Sequence, residues 1–182
     1  MKKLLYTLIL ISSIVRGDNF EFSHIPIQEN GRIKPLDTFA KNQLLSIYTK
    51  RSIKSEKLTA IDWLLETLSN PKEAFNKPIF KIKNPEVVRS IGLTWDNHHT
   101  YSYHQVLLGL TNQKQLIVNV NNKDEDELTL VERQLRDLNA TFEKFANMWW
   151  HLKIIPPNSD NSDYPWLSPW EIQTYDDLNK NQ

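Results

Sequence analysis

The stretch Leu128-Thr129-Leu130-Val131-Glu132-Arg133-Gln134-Leu135-Arg136-Asp137-Leu138-Asn139-Ala140-Thr141-Phe142-Glu143-Lys144-Phe145-Ala146-Asn147-Met148-Trp149-Trp150-His151-Leu152 decides the fold. Its residues Leu128, Val131, Leu135, Leu138, Phe142, Phe145, Trp149 and Leu152 recur at alternating steps of three and four, which places all of them on one stripe of an α-helix. A helix running from Asp124 to Leu152 would be about 43 Å long at about 1.5 Å per residue. Asp124-Glu125-Asp126-Glu127 would then occupy its first turn, where acids complement the positive end of the helix dipole. Such a stripe is expected to be the seam of the domain's own core, packed against two earlier helices. The competing use is a coiled-coil or partner-docking face, because an a/d stripe without opposed e/g charges does not specify what it pairs with.

Upstream, Leu36, Phe39, Ala40, Leu44, Ile47 and Tyr48 follow Pro35 at helical spacing and predict a helix over 36–49. Thr59, with Asp62 in the first turn, caps a second helix over 60–69 that stops before Pro71. Ile79 to Ile82 alternates apolar residues with lysine, the pattern of an edge strand. Asn84 and Pro85 open a short third helix that Gly92 closes, and the pair Ser102 and Gln105 opens a fourth through Leu110. Downstream, Pro156 and Pro157 end the long helix, Asn158 to Asp163 is a polar linker, and Ser168-Pro169-Trp170-Glu171 starts a last helix running to about Asn179. Near the N-terminus, Ile25 to Gln28 and Arg32 to Lys34 flank Asn30-Gly31, the dipeptide that best tolerates the positive φ angles of a tight hairpin. The predicted class is α+β, mainly α, with a small N-terminal hairpin and four to five helices around one long amphipathic helix.

The 182 residues include 22 Lys plus Arg and 22 Asp plus Glu, so there is no net basic field to draw the chain to nucleic acid. Cysteine is absent, which removes disulfides, thiolate catalysis and thiolate metal ligation. Lys2 and Lys3 precede the apolar run Leu4 to Val15, followed by Arg16-Gly17-Asp18: the pattern of a Sec-type signal peptide over 1–17, cleaved or retained as an anchor. Without those residues the chain carries a net charge of −3. The expected organisation is the signal over 1–17, a helical periplasmic domain over 18–157, and a Pro/Trp-rich linker with a C-terminal helix over 158–182.

Little in the chain suggests catalysis. His98, His99 and His104 are close in sequence but adjacent imidazoles diverge on any regular element, and only Asp96 is near them, so a loop role is expected and no metal site. His151 beside Trp149 and Trp150 could suit a haem face, but a histidine at a helix C-terminus is already favoured by the dipole. There is no glycine-rich phosphate loop, no Gly-x-Ser-x-Gly elbow and no His-Glu-x-x-His helix. A non-enzymatic role is expected over a periplasmic hydrolase.

Two segments are specified beyond packing. Asn30-Gly31-Arg32-Ile33-Lys34-Pro35-Leu36-Asp37-Thr38-Phe39-Ala40 combines a turn, two cations, a helix start and an acid expected to pair with Arg32 or Lys34. It is read as a hairpin-to-helix joint or as a docking surface formed by Gly31, Arg32, Lys34, Pro35, Asp37 and Thr38. Tyr164-Pro165-Trp166-Leu167-Ser168-Pro169-Trp170 either staples the final helix to the domain or faces a membrane interface, with Trp166, Ser168 and Pro169 as its candidate docking residues.

The run Ile25-Pro26-Ile27-Gln28 with Gly31-Arg32-Ile33-Lys34-Pro35-Leu36-Asp37-Thr38-Phe39-Ala40 resembles the opening of the extracytoplasmic domain of bacterial CcsA-type cytochrome c biogenesis proteins, the membrane subunit of the system II cytochrome c synthase. The resemblance continues in order through Leu58-Thr59-Ala60 and Trp63-Leu64-Leu65, Pro78 to Ile82, Tyr101-Ser102-Tyr103, Leu152 to Pro156 and Trp166-Leu167-Ser168-Pro169. It implies a periplasmic, membrane-associated domain that docks to the synthase's membrane subunits and to apocytochrome c. Haem then belongs to the wider machinery. In that family the haem-binding tryptophan-rich segment lies between transmembrane helices, whereas Trp149-Trp150-His151 lies on an amphipathic helix, so no haem ligand is carried over. The alternative expectation is a periplasmic protein-interaction module unrelated to haem.

Overall fold

A computed structural model describes residues 20–157, 165–169, 171 and 172. The expected signal segment, the linker over 158–163, Tyr164, Trp170 and the last predicted helix beyond Ile172 lie outside the described residues. The fold is α+β and mainly α. In chain order its elements are α1 (Phe20–Ser23), β1 (Pro26–Glu29), β2 (Arg32–Pro35), α2 (Leu36–Tyr48), β3 (Ser52–Ile53), β4 (Leu58–Thr59), α3 (Ala60–Ser69), α4 (Pro71–Ala74), β5 (Phe80–Lys81), α5 (Pro85–Ser90), β6 (Thr100–Tyr101), α6 (Tyr103–Asn112), α7 (Lys114–Asn121), α8 (Leu130–Ala146) and α9 (Met148–His151). The strands pair as three antiparallel two-stranded ribbons, β1 with β2, β3 with β4 and β5 with β6.

Local chemistry explains most helix starts. Reciprocal capping boxes satisfy otherwise orphaned first-turn amides at Thr59/Asp62, Ser102/Gln105 and Thr129/Glu132. Asn84 accepts the Glu86 amide to open α5. That helix closes with paired bonds from Gly92 N–H to the Arg89 carbonyl and from Leu93 N–H to the Val88 carbonyl, with Gly92 at φ +72°.

The long helix is shorter than its stripe implies. Thr129 starts it at Leu130, so Asp124 to Glu127 are not its first turn. Glu125–Glu127 form a separate 3₁₀ turn, in which Glu125 pairs with Arg133 at 2.8 Å and Arg136 at 3.1 Å. At the other end Asn147 leaves helical geometry and its Nδ2 donates to the Glu143 carbonyl at 2.9 Å, competing with continuation of the backbone ladder. Seventeen residues remain in α8, about 26 Å. The seam itself holds: Leu128, Leu135, Phe142, Phe145 and Leu152 are buried and Val131, Leu138 and Trp149 pack against the same core.

The other side of that core is aromatic. Trp63 of α3 stacks on Phe145 with ring centroids 6.2 Å apart, and Phe80 meets Phe145 edge-on at 5.4 Å. Tyr103 stacks on Phe142 at 4.8 Å and on Phe75 at 4.5 Å; burial pushes the Tyr103 phenol above its ordinary pKa. Lys77 bridges Glu56 at 2.5 Å and Glu66 at 2.7 Å. Burial works against its charge, and the hydrogen bonds it donates to the two carboxylates outweigh this and raise its pKa.

Helix α7 has no counterpart in the sequence reading. It starts at Gln113 without a side-chain cap and is rich in β-branched residues. Its C-terminal end is held from outside, by Arg136 of α8 donating to the Val120 and Lys123 carbonyls at 2.6 Å each.

The Thr129 box yields a pH prediction. Lys123 Nζ at 2.6 Å, the Thr129 amide at 3.0 Å and the Thr129 hydroxyl at 2.9 Å hold the Glu132 carboxyl down at about 2. A carboxyl whose folded pKa lies below its unfolded value stabilises the fold above the unfolded pKa, about 4.3, and loses that contribution as pH falls through the folded value. In urea unfolding, the stability gap between wild type and Glu132→Gln is therefore expected to be full at pH 6 and to shrink between about pH 4.5 and 2. A gap that stays constant over that window would show that the carboxylate contacts do not set the cap.

Candidate docking surface

The hairpin is built by its turn. Asn30 at φ 53° and Gly31 at φ 72° set the register Pro26↔Pro35, Ile27↔Lys34, Gln28↔Ile33 and Glu29↔Arg32. Alternation then sends Ile27, Glu29, Arg32 and Lys34 to one face and Gln28 and Ile33 to the other. Ile27 is fully buried, whereas Ile33 is 62 % exposed. Glu29 forms an ion pair with Lys34 and accepts from Gln43 Nε2 at 3.2 Å, which ties the hairpin to α2.

A Cβ added at Gly31 meets nothing within 4 Å, so only the backbone penalises substitution there. Gly31→Val is expected to cost about 1–2 kcal/mol, and Gly31→Asn much less, because asparagine tolerates the left-handed region. Equal midpoints for the two variants in urea unfolding would exclude backbone strain as the cause.

The remaining edge of β1 is taken by a distant part of the chain. Gln28 N–H donates to the Lys153 carbonyl at 2.9 Å. Two residues on, Ile155 and Leu167 exchange both backbone bonds, at 3.0 and 2.9 Å. Ser168 then caps the turn that follows: its amide donates to Glu171 Oε2 at 2.6 Å and its hydroxyl accepts from the Glu171 amide at 3.3 Å. Glu171 also pairs with Lys153. Burial raises the Glu171 pKa, and the Lys153 ammonium and Ser168 donors overcome this and lower it.

Lys153–Ile155 thus links β1 of the hairpin, at Gln28, to the second segment singled out in the sequence, at Leu167. Of the candidate docking residues, Gly31, Arg32, Pro35, Thr38 and Pro169 are exposed, and Lys34, Asp37 and Trp166 are half-buried. Ser168 is fully buried and serves as a helix cap rather than a contact residue. Asp37 does not pair with Arg32 or Lys34. It pairs with Lys41 at 2.6 Å, one helical turn ahead in α2, because Lys34 is drawn across the hairpin to Glu29. Arg32 has no side-chain partner among the described residues.

Sequence reasoning missed a polar groove beside this surface, about 360 Å³, walled by the hairpin turn with Lys144, His151 and Lys153. A second cavity, about 260 Å³, lies between α2, β5, α5 and α8 over Ile47, Phe80 and Leu138. The three clustered histidines do not converge. His98 is exposed, His99 stacks on Trp95 with centroids 4.3 Å apart, and His104 lies edge-on to Phe75 at 6.0 Å. Among the described residues no three His, Cys, Asp or Glu side chains are grouped so as to hold a metal ion. Trp149 packs edge-on against Phe75 at 6.0 Å, while Trp150 and His151 are exposed. No helix of the described residues is long and apolar enough to cross a membrane. The chain matches no protein-family model, and no curated protein is significantly similar to it in sequence.

Proposed function

We propose that the chain is an exported, membrane-associated docking domain of c-type cytochrome biogenesis, acting on the extracytoplasmic side by binding a component of the haem-attachment machinery rather than by catalysis. One observation carries the reading. Segments that resemble the CcsA-type extracytoplasmic domain, Ile25–Gln28, Leu152–Pro156 and Trp166–Pro169, are far apart in sequence and are joined by backbone hydrogen bonds, Gln28 to Lys153 and Ile155 to Leu167. On the hairpin Arg32 and Ile33 lie on opposite faces and both are exposed, Ile33 at 62 %, which leaves an apolar side chain for a partner to cover. Membrane subunits of the synthase and apocytochrome c are the proposed partners. Haem is handled by those partners, and no haem ligand is assigned here.

The test uses residues whose loss leaves the fold intact. Lys34 is unsuitable, because removing it strands a half-buried Glu29. Arg32→Ala with Ile33→Ala is expected to change stability by less than about 1 kcal/mol, since both side chains are exposed. In cells the same double variant is expected to lower covalent haem in exported c-type cytochromes several-fold at unchanged protein level. Normal maturation, in this variant and after deletion of the gene, would overturn the reading and leave the surface to a partner outside haem attachment.

A further inference from the structure

We propose that the groove between the hairpin turn and the end of α9 binds an oxyanion, a carboxylate or phosphate group of a small ligand. The inference does not depend on the role in cytochrome biogenesis. It rests on how the charges in the groove are balanced.

The wall is assembled from three parts of the chain: Gln28 to Gly31 of the hairpin, Lys144 in the last turn of α8, and His151 with Lys153 beyond the break at Asn147. Glu29, the one acid of the wall among the described residues, is already satisfied, with one carboxylate oxygen on Lys34 and the other on Gln43. Lys153 is neutralised by Glu171. Lys144 and His151 have no side-chain partner among the described residues. The groove therefore holds one ammonium without a counter-charge among the described residues, beside an imidazole that can donate a further hydrogen bond. The break at Asn147 matters here, because it turns the chain so that His151 lines the same space as the hairpin.

Both groups suit an oxyanion. An ammonium donates up to three hydrogen bonds and an imidazole N–H one, and bonds from charged donors to oxyanions are about twice as strong as neutral ones. At about 360 Å³ the space accommodates one such group with a small organic body. Among the described residues no arginine lines the wall to impose the planar two-pronged geometry that would favour one oxyanion over the other.

The test is a titration of the purified protein with inorganic phosphate and, separately, with citrate, followed by amide NMR shifts at low salt. Saturable shifts at Gly31, His151 and Lys153 are expected with at least one of the two anions, and which anion binds more tightly identifies the source of the ligand. Lys144→Ala with His151→Ala is expected to weaken binding at least tenfold, and the milder Lys144→Gln with His151→Gln to do the same if the alanine pair perturbs the fold. Lys114→Ala, on α7 and outside the groove, should leave binding unchanged. Raising the salt tenfold should weaken it further by screening. Shifts that never saturate with either anion, or that persist unchanged in both double variants, would overturn the proposal. If the groove binds anions while cytochrome maturation is unaffected by the Arg32 and Ile33 substitutions, only the docking proposal fails.

Discussion

Trp63→Ala is expected to destabilise the protein by about 3–5 kcal/mol, a fifth or more of the roughly 5–15 kcal/mol that holds a domain of ordinary stability together. Trp63 is completely buried on α3 and stacks on Phe145, which in turn meets Phe80 and Phe75 edge-on. Truncation removes the largest side chain in this cluster and leaves a cavity that Phe145, itself held by Phe75 and Phe80, cannot collapse to fill. For a chain of this size the midpoint of thermal unfolding should fall by about 6–20 °C. Trp63→Phe separates the contributions. The indole Nε1 is buried without a hydrogen-bond partner among the described residues, so phenylalanine loses some volume but also removes an unsatisfied donor that costs about 1–3 kcal/mol. It should cost less than half as much as alanine. A loss under 1 kcal/mol for Trp63→Ala, followed by circular dichroism in a thermal scan, would show that this aromatic cluster is not the centre of the core.

Gly109→Ala tests the packing of α6, and the two physical effects oppose each other. Within a helix, replacing glycine by alanine gains about 1 kcal/mol of intrinsic propensity. At this position, however, a Cβ would lie 2.7 Å from the Ile91 carbonyl oxygen and 3.2 Å from the Ile91 Cβ. The first contact is with backbone, which follows α5 and is pinned by its paired C-terminal bonds, so it does not rotate aside as a side chain would. The clash wins: α6 must move away from Ile91 and disturb Val106 and Leu110, both buried on the same helix, for a net loss of about 1–3 kcal/mol. Gly109→Val should cost more, adding bulk at the same contact. Stabilisation by Gly109→Ala in urea unfolding would mean that the two helices approach less closely than the structure has them.

These effects differ in how far they could be read from the sequence. The start of α3 at Thr59 and that of α6 at Ser102 were legible because a cap and its partner lie three residues apart and interact before any tertiary structure exists. The Asn30-Gly31 hairpin was legible for the same reason. Thr129 and Glu132 carried the same signal and mark the true start of α8, but the regular apolar stripe running through Leu128 masked it. The stripe is continuous in burial and not in helix, since Leu128 and Leu152 reach the core from outside α8. For α7 no comparable signal exists. Its sequence, Lys114 to Asn121, has β-branched residues and no cap, and it is helical because Ile117 and Val120 are buried and Arg136 of α8 closes its end.

The candidate surface divides in the same way. The sequence marked Gly31 to Thr38 and Trp166 to Pro169 as unusual, because each concentrates residues with strong local preferences, and it identified Ser168 as a cap. It could not show that Asp37 turns to Lys41, that Ser168 is buried, or that Lys144 and His151 face the hairpin turn across a groove. By itself, the sequence determined the elements whose hydrogen bonds close within a few residues: the hairpin turn, the capped helix starts and the apolar stripe that had to be buried. The tertiary structure alone decided the pairing of Gln28 with Lys153 and of Ile155 with Leu167, the support of α7 by Arg136, and the close approach of Gly109 to Ile91. Those contacts join residues remote along the chain. The entropy of bringing such residues together is offset only by burial of the whole core, so no local pattern encodes them.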